Sequence, residues 1–134
     1  MKKIIGNSIF YFFSIIFIFI IVCQLGLVPI RFLAVMSGSM SPTINTGDLS
    51  IIRLDYKYQP EIGDIVYFDL AGHPTLHRVT EYTQGRITTK GDANDAFDDS
   101  ILSVNGYYLF RIAFIGYPIH YTQQFFYNLF KLGG

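Results

Sequence analysis

The sequence predicts a small, mainly antiparallel β domain that follows one N-terminal membrane-spanning helix and precedes an aromatic C-terminal helix. Three observations support this fold class. No charged residue occurs from Ile4 through Ile30. The middle of the chain alternates short strand-like runs with glycine, proline and aspartate turns, and it lacks sustained helical periodicity. The length of 134 residues allows one small domain plus one spanning segment.

The composition separates a membrane segment from an ordinary globular part. Hydrophobic residues make up 51% of the chain, charged residues make up only 15%, and the mean hydropathy is +0.35. The formal net charge of +0 gives no electrostatic reason to expect nucleic acid as a partner. Cys23 is the only cysteine, which excludes a disulfide within the chain and a cysteine-based zinc site. We therefore predict no cofactor and no metal.

The apolar run is long enough to cross a bilayer, because about 20 helical residues span the hydrocarbon core. A cleaved signal peptide is the alternative, but its apolar region is usually only about 7–15 residues long. Lys2 and Lys3 precede the run, whereas Arg31 is the only basic residue directly after it. The positive-inside rule then predicts a single-pass protein of the cell membrane, with a cytoplasmic N-terminus and an extracytoplasmic domain.

Branched and aromatic residues between turn signals predict the strands of the domain. In the third of these runs, His77 and Val79 share one face while Leu76 and Arg78 share the other. The sequence around His73 and Pro74 predicts a break. The expected strands cover residues 49–54, 65–68, 75–82, 86–90 and 107–115.

The C-terminal stretch combines aromatic residues at roughly helical spacing with a proline, a histidine and two glutamines. Aromatic side chains favour the boundary between water and lipid, so we predict an interfacial helix there. The predicted organisation is a membrane anchor over 1–31, a β domain over 32–116 and a membrane-associated tail over 117–134.

The residues that could perform chemistry are a serine, a histidine and an acid. Ser39 lies in a segment rich in glycine, proline and small hydroxyl residues, which predicts a turn that exposes the hydroxyl. A serine needs a base to take its proton, and His77 suits that role, with an acid from the 92–99 loop to orient it. Lys90 is the alternative base. The acidic side chains of that loop could also be merely solvated, or could hold calcium. A calcium site is disfavoured because the loop lacks the ligand spacing of an EF-hand.

Four segments, in order along the chain, carry a resemblance to a known family. They are residues 37–43 with Gly47 and Asp48, residues 63–68, residues 77–79, and residues 90–94 with Asp98 and Asp99. In this combination the chain resembles a type I signal peptidase, a membrane-bound serine protease. Because it has a histidine at position 77, the chain resembles the branch of this family that is found in the endoplasmic reticulum, in archaea and in some Gram-positive bacteria.

The resemblance implies a role for each matching residue. Ser39 would be the nucleophile and His77 the base. Asp98 would orient the histidine, with Asp92 as the second candidate for that acid. The backbone N–H of Ser39 and the hydroxyl of Ser37 would form the oxyanion hole.

The implied activity is the removal of signal peptides from exported preproteins at the surface of a lipid bilayer. Partner membrane subunits would fit the small size of the domain. A catalytically inactive, membrane-tethered binding or assembly module is the alternative function. A self-cleaving regulator of the SOS-repressor kind is disfavoured, because that class uses a lysine base and lacks an anchor.

Overall fold

A six-stranded antiparallel sheet forms the body of the protein. The computed structural model describes residues 2–118 and 120–121, with side chains from residue 7 onward except that of residue 24. A helix precedes the sheet, and the strands pair in the order β1-β2-β6-β3-β4-β5. The prediction of a mainly antiparallel β domain is therefore confirmed. The elements are α1 (Lys2–Gln24), β1 (Ile30–Ala34), β2 (Leu49–Leu54), β3 (Ile65–Leu70), β4 (His73–Thr83), β5 (Arg86–Lys90) and β6 (Gly106–Ile112).

Helix α1 occupies most of the apolar run. It ends at Gln24, six residues before the run itself ends at Ile30. Gly26, with a φ of 73°, follows the helix, and its N–H donates to the carbonyl of Cys23 at 3.1 Å. Such a glycine turn ends a helix because only glycine adopts a left-handed backbone without strain. Ile30 and Arg31 then belong to β1, and the anchor boundary at residue 31 stays a prediction. Within the described residues, no helix is long and apolar enough to cross a membrane, and the spanning prediction is not confirmed.

All five predicted strands are present, two of them with the predicted bounds and three with different ends. Strands β2 and β5 have the predicted bounds. Strand β1 was not expected, because its apolar residues continue the run of α1. Strand β4 begins at His73 and includes Pro74, which pairs with Asp69 of β3. Strand β6 ends at Ile112, before a turn in which Phe114 has a φ of 63°. Residues 119 and 122–134 of the predicted tail helix lie outside the described residues.

Apolar side chains cover both faces of the sheet. The alternation along β3 divides them, since Ile65 and Tyr67 belong to one cluster while Val66 and Phe68 belong to the other. The first cluster also contains Met40 and Ile44, from the turn-rich segment between β1 and β2. That segment is therefore fixed on one face of the sheet. The first cluster consists of Met40, Ile44, Ile52, Ile65, Tyr67 and Leu76, and the second of Val66, Phe68, Val79, Ile87 and Val104.

Ile52→Ala should lower the free energy of unfolding by about 2–5 kcal/mol, because Ile52 is fully buried and truncation leaves a cavity beneath Met40 and Ile44. Ile62→Ala is the matched control, since Ile62 is 68% exposed and should change stability by less than about 0.5 kcal/mol. Urea unfolding of the full chain in detergent micelles measures both. Equal effects of the two substitutions would contradict the assigned core.

Candidate active site

Ser39 lies in the segment of residues 35–48 that joins β1 to β2. Two backbone hydrogen bonds close this segment, from Gly47 N–H to Val35 O at 2.8 Å and from Val35 N–H to Asp48 O at 2.9 Å. Met40, the next residue, is only 3% exposed and anchors the turn in the core. Ser39 itself is half-buried. Its hydroxyl therefore sits on a fixed turn with access to the surface.

A buried carboxylate holds the end of the same segment. Asp48 is 1% exposed, and it accepts hydrogen bonds from Asn45 N–H at 2.8 Å and from Arg111 at 2.6 Å. Burial alone would raise the pKa of Asp48, but these hydrogen bonds outweigh it and the pKa lies below its usual value. The segment that carries Ser39 is thereby tied to β6.

His77 stands in the interior of the sheet. It belongs to β4 and pairs with Val66 of β3, and only 6% of the residue is exposed. The ring of Phe68 packs edge-on against the imidazole, with centroids 6.2 Å apart. A strand bonded on both sides and an aromatic neighbour limit the rotation of the imidazole.

The structure brings Ser39, His77 and Asp98 into one hydrogen-bonded row. Asp98 Oδ2 lies 2.5 Å from His77 Nδ1, and His77 Nε2 lies 3.2 Å from Ser39 Oγ. A carboxylate only accepts hydrogen bonds, so Nδ1 carries a proton and donates a hydrogen bond to Asp98. Nε2 is then the acceptor for the hydroxyl of Ser39. This is the arrangement in which a histidine can remove the proton of a serine.

Ser37 lies beside the nucleophile candidate. Its hydroxyl oxygen is 3.3 Å from Ser39 Oγ, and since the proton of Ser39 points to His77, Ser37 is the donor in this contact. The backbone N–H of Ser39 donates to no protein group among the described residues. Both donors that the sequence indicated for an oxyanion hole are thus close to Ser39 Oγ.

Asp92, the second candidate acid, makes a different set of contacts. It accepts two hydrogen bonds from Arg78, from Nε and Nη2, each at 2.8 Å, and a third from Thr43 at 2.6 Å. The hydrogen bonds from Arg78 hold the pKa of Asp92 below its usual value, against the effect of burial and with help from Thr43. Asp92 makes no hydrogen bond to His77, and its carboxylate instead joins the turn of Ser39 to β4.

The loop of residues 91–100 also contacts the turn of Ser39 through the backbone. Ala93 N–H donates to Ser39 O at 2.8 Å. A Cβ at Gly91 would lie 2.6 Å from the same carbonyl oxygen, closer than real Cβ atoms approach. Glycine at position 91 therefore permits the contact between the two loops.

The other candidate residues lie apart from the row. Lys90 donates to the carbonyl of Asn94 at 3.0 Å and lies over the ring of Phe97, so the alternative base does not contact Ser39. His73 and His120 line the groove described next, without joining the row. Among the described residues, no three His, Cys, Asp or Glu side chains are grouped to hold a metal ion.

A groove of about 610 Å³ opens over Ser39 and His77. The edge strand β1 forms one wall through Leu33 and Ala34, and Leu76 of β4 contributes to the opposite side. The outer edge of β1 has no paired strand in the described sheet. An extended peptide can pair with such an edge and leave its side chains in apolar pockets.

Three further residues of the site, Thr43, Arg78 and Thr89, are not predicted by the sequence patterns. Thr89 is fully buried and donates from Oγ1 to Asp98 Oδ2 at 2.6 Å. The period-2 pattern of β5 contains the signal, since Ile87 and Thr89 share a face and a polar residue on a buried face needs a hydrogen-bond partner. The partners of Thr43 and Arg78 are distant in sequence, and no local pattern indicates them.

One known protein family matches more than half of the chain. The model of the S24-like peptidase family, described as "Peptidase S24-like", matches residues 28–107, which include Ser39, His77 and Asp98. The chain belongs to the S24-like peptidase family. The match extends from the start of the sheet region to the beginning of β6.

Curated relatives of this chain are signal peptidase complex catalytic subunits named SEC11. The protein from Colletotrichum graminicola is 30% identical over 100 residues, which cover 69% of this chain and 58% of the relative. The protein from Tuber melanosporum is 34% identical over 97 residues, which cover 62% of this chain and 52% of that relative. The chain thus spans little more than half the length of these relatives. They confirm the resemblance to type I signal peptidases of the endoplasmic reticulum branch.

Asp92→Asn should lower the free energy of unfolding by about 1–2 kcal/mol at neutral pH, a modest value because solvent screens the partly exposed Arg78. The folded-state pKa of Asp92 is depressed, so its stabilisation is present above the unfolded pKa of about 3.9 and is lost as pH falls through the folded pKa. The difference between wild type and Asp92→Asn should therefore shrink to zero in acid.

Urea unfolding from pH 7 to pH 2 tests this dependence. Asp95→Asn is the control, because Asp95 is an exposed residue of the same loop and should leave stability nearly unchanged. A difference between wild type and Asp92→Asn that grew toward low pH would contradict the assigned ion pair.

Proposed function

We propose that this S24-like peptidase is a membrane-bound serine endopeptidase that removes signal peptides from exported preproteins through an acyl-enzyme. Ser39 is the nucleophile, His77 the general base and then the general acid, and Asp98 the carboxylate that orients the imidazole. The observation that carries the proposal is the hydrogen-bonded row from Ser39 Oγ through His77 to Asp98 at the base of an apolar groove.

The reaction begins when Ser39 Oγ attacks the scissile carbonyl carbon while His77 Nε2 takes the hydroxyl proton. The resulting imidazolium is stabilised by the carboxylate of Asp98, which keeps Nδ1 as a donor. Collapse of the tetrahedral intermediate breaks the C–N bond, and His77 returns the proton to the leaving amine. A water molecule, deprotonated by the same imidazole, then hydrolyses the ester on Ser39.

The developing oxyanion needs donors on the side of the carbonyl opposite to the imidazole. The backbone N–H of Ser39 has no other protein partner among the described groups, which supports it as the first donor. The hydroxyl of Ser37, 3.3 Å from Ser39 Oγ, is the second. Removing one such donor typically costs about 3–4 kcal/mol of transition-state stabilisation.

The substrate enters as an extended chain. The unpaired outer edge of β1 borders the groove, which suits a peptide that adds one strand to the sheet. The name of the SEC11 relatives, signal peptidase complex catalytic subunits, supports a signal peptide as that chain. By the same analogy, partner subunits join the S24-like peptidase in a complex.

Membrane attachment would come from the N-terminal helix. Large apolar side chains are exposed along it, for example Phe10 at 68% and Phe17 at 64%, and such a surface is unfavourable in water. We propose that residues before β1 anchor the chain in a cell membrane with a cytoplasmic N-terminus. The catalytic domain, ending near residue 116, then lies on the extracytoplasmic face, and the tail over 117–134 associates with the lipid surface.

Ser39→Ala should reduce the cleavage of a signal-peptide-bearing reporter preprotein by at least about 10⁴-fold, because it removes the hydroxyl that lies within hydrogen-bond distance of His77 Nε2. The measurement is the cleavage rate with the full chain in membrane vesicles. Ser103→Ala, at an exposed position outside the groove, is the control and should be fully active. Equal processing by wild type and Ser39→Ala would instead favour the binding-module alternative.

The base and its acid are tested with matched pairs of variants. His77→Ala should be nearly inactive, whereas Lys90→Ala should keep substantial activity, because Lys90 Nζ binds a loop carbonyl and not Ser39. Asp98→Asn should lower kcat by about 10³–10⁴-fold through loss of the productive tautomer, while Asp99→Asn, at an exposed residue, should resemble wild type. An active His77→Ala with an inactive Lys90→Ala would replace the proposed triad with a lysine dyad.

A further inference from the structure

The carboxylate of Asp98 is carried by a loop without regular secondary structure, yet it must keep one orientation toward His77. Residues 91–100 form turns and bends between β5 and β6. An aspartate side chain on such a loop can rotate about Cα–Cβ and Cβ–Cγ, and either rotation would remove the acceptor from Nδ1. Some other group must therefore limit these rotations.

Thr89 contacts Asp98 at two points. Its hydroxyl donates to Asp98 Oδ2 at 2.6 Å, the same oxygen that lies 2.5 Å from His77 Nδ1. Its carbonyl oxygen accepts the backbone N–H of Asp98 at 2.8 Å. One bond fixes the main chain of Asp98 and the other fixes the carboxylate, so the pair leaves little freedom to either.

Thr89 itself has a rigid setting. It is fully buried and pairs with Val79 of β4, two residues from His77 on the same strand. A β-branched side chain in a strand has few χ1 choices. The hydroxyl therefore has a fixed position relative to β4, which carries the imidazole. Its hydrogen bond then holds the carboxylate of the loop in a fixed position relative to the same strand.

We propose that Thr89 is a positioning residue that holds the Asp98 carboxylate in the orientation that His77 requires. It touches neither the groove nor Ser39. Its removal should therefore change the rate of the chemical steps and not the binding of the peptide. This inference rests on the proposed function.

Thr89→Val removes the hydroxyl and keeps the shape of the side chain. With the full chain in membrane vesicles and a reporter preprotein, kcat should fall about 10- to 100-fold, by analogy with the loss of groups that orient metal-ligating histidines. KM should stay within about twofold, because no groove contact changes. Thr89→Ser retains the donor and should restore kcat to within about threefold of wild type.

Thr88→Val is the matched control. Thr88 is the neighbouring residue of β5, and its hydroxyl lies 3.2 Å from Ser100 Oγ, away from Asp98. This variant should match wild type in kcat and KM. Thermal unfolding of each variant verifies that the compared proteins are folded at the assay temperature.

A proton NMR measurement tests the positioning without any substrate. The Nδ1–H of His77 should give a low-field resonance that Thr89→Val shifts or broadens, Asp98→Asn removes, and Thr88→Val leaves in place. Because this readout needs no cleavage, it decides the role of Thr89 even if Ser39→Ala processes the preprotein as wild type does and the proposed function fails.

Two results would overturn the inference. One is a Thr89→Val variant with the kcat and the Nδ1–H resonance of wild type. The other is equal loss in Thr89→Val and Thr89→Ser, which would mean that packing at position 89, and not its hydroxyl, supports activity.

Discussion

The carboxylate of Asp92 joins the three segments that make the site. It binds Thr43 on the turn of Ser39 and Arg78 on the strand of His77, and it belongs to the loop that carries Asp98. These partners are separated by 49 and 14 residues in sequence, so the contact forms only when the sheet and both loops are in place. The hydrogen-bonded row of the site is a consequence of this junction and of the sheet beneath it.

Each of the three aspartates near the site has its own set of hydrogen-bond partners. Arg78 and Thr43 bind Asp92, and Arg111 and Asn45 bind Asp48, which leaves Asp98 to His77 and to Thr89. This division matters because a strong cation beside Asp98 would compete with the imidazole for the same carboxylate. Asp48, Asp92 and Asp98 have the same side chain, so only the groups around each carboxylate distinguish what it does.

The sequence contained enough to predict two strands with their bounds, and to name Ser39 and His77 as candidates with two aspartates as the possible acid. Alternation and turn residues define β2 and β5, and the turn composition around Ser39 indicates an exposed hydroxyl. The choice between Asp98 and Asp92 could not be made from the sequence. It depends on which of the two carboxylates accepts the hydrogen bonds of Arg78. Strand β1 was missed since its apolar residues follow an apolar helix without a change of composition, and Thr89 was missed because its partner lies across a loop.

Gly91 has no reactive side chain, yet the absence of a Cβ at this position affects the geometry of the site. The main chain of Asp98's loop rests against the carbonyl of Ser39 at this point, with no space for even a methyl group. The position of this loop relative to Ser39 is thus limited by a close approach between two stretches of backbone. A larger residue there would push the loop away from Ser39, and it would disturb the proposed triad although Ser39, His77 and Asp98 all remained in the chain.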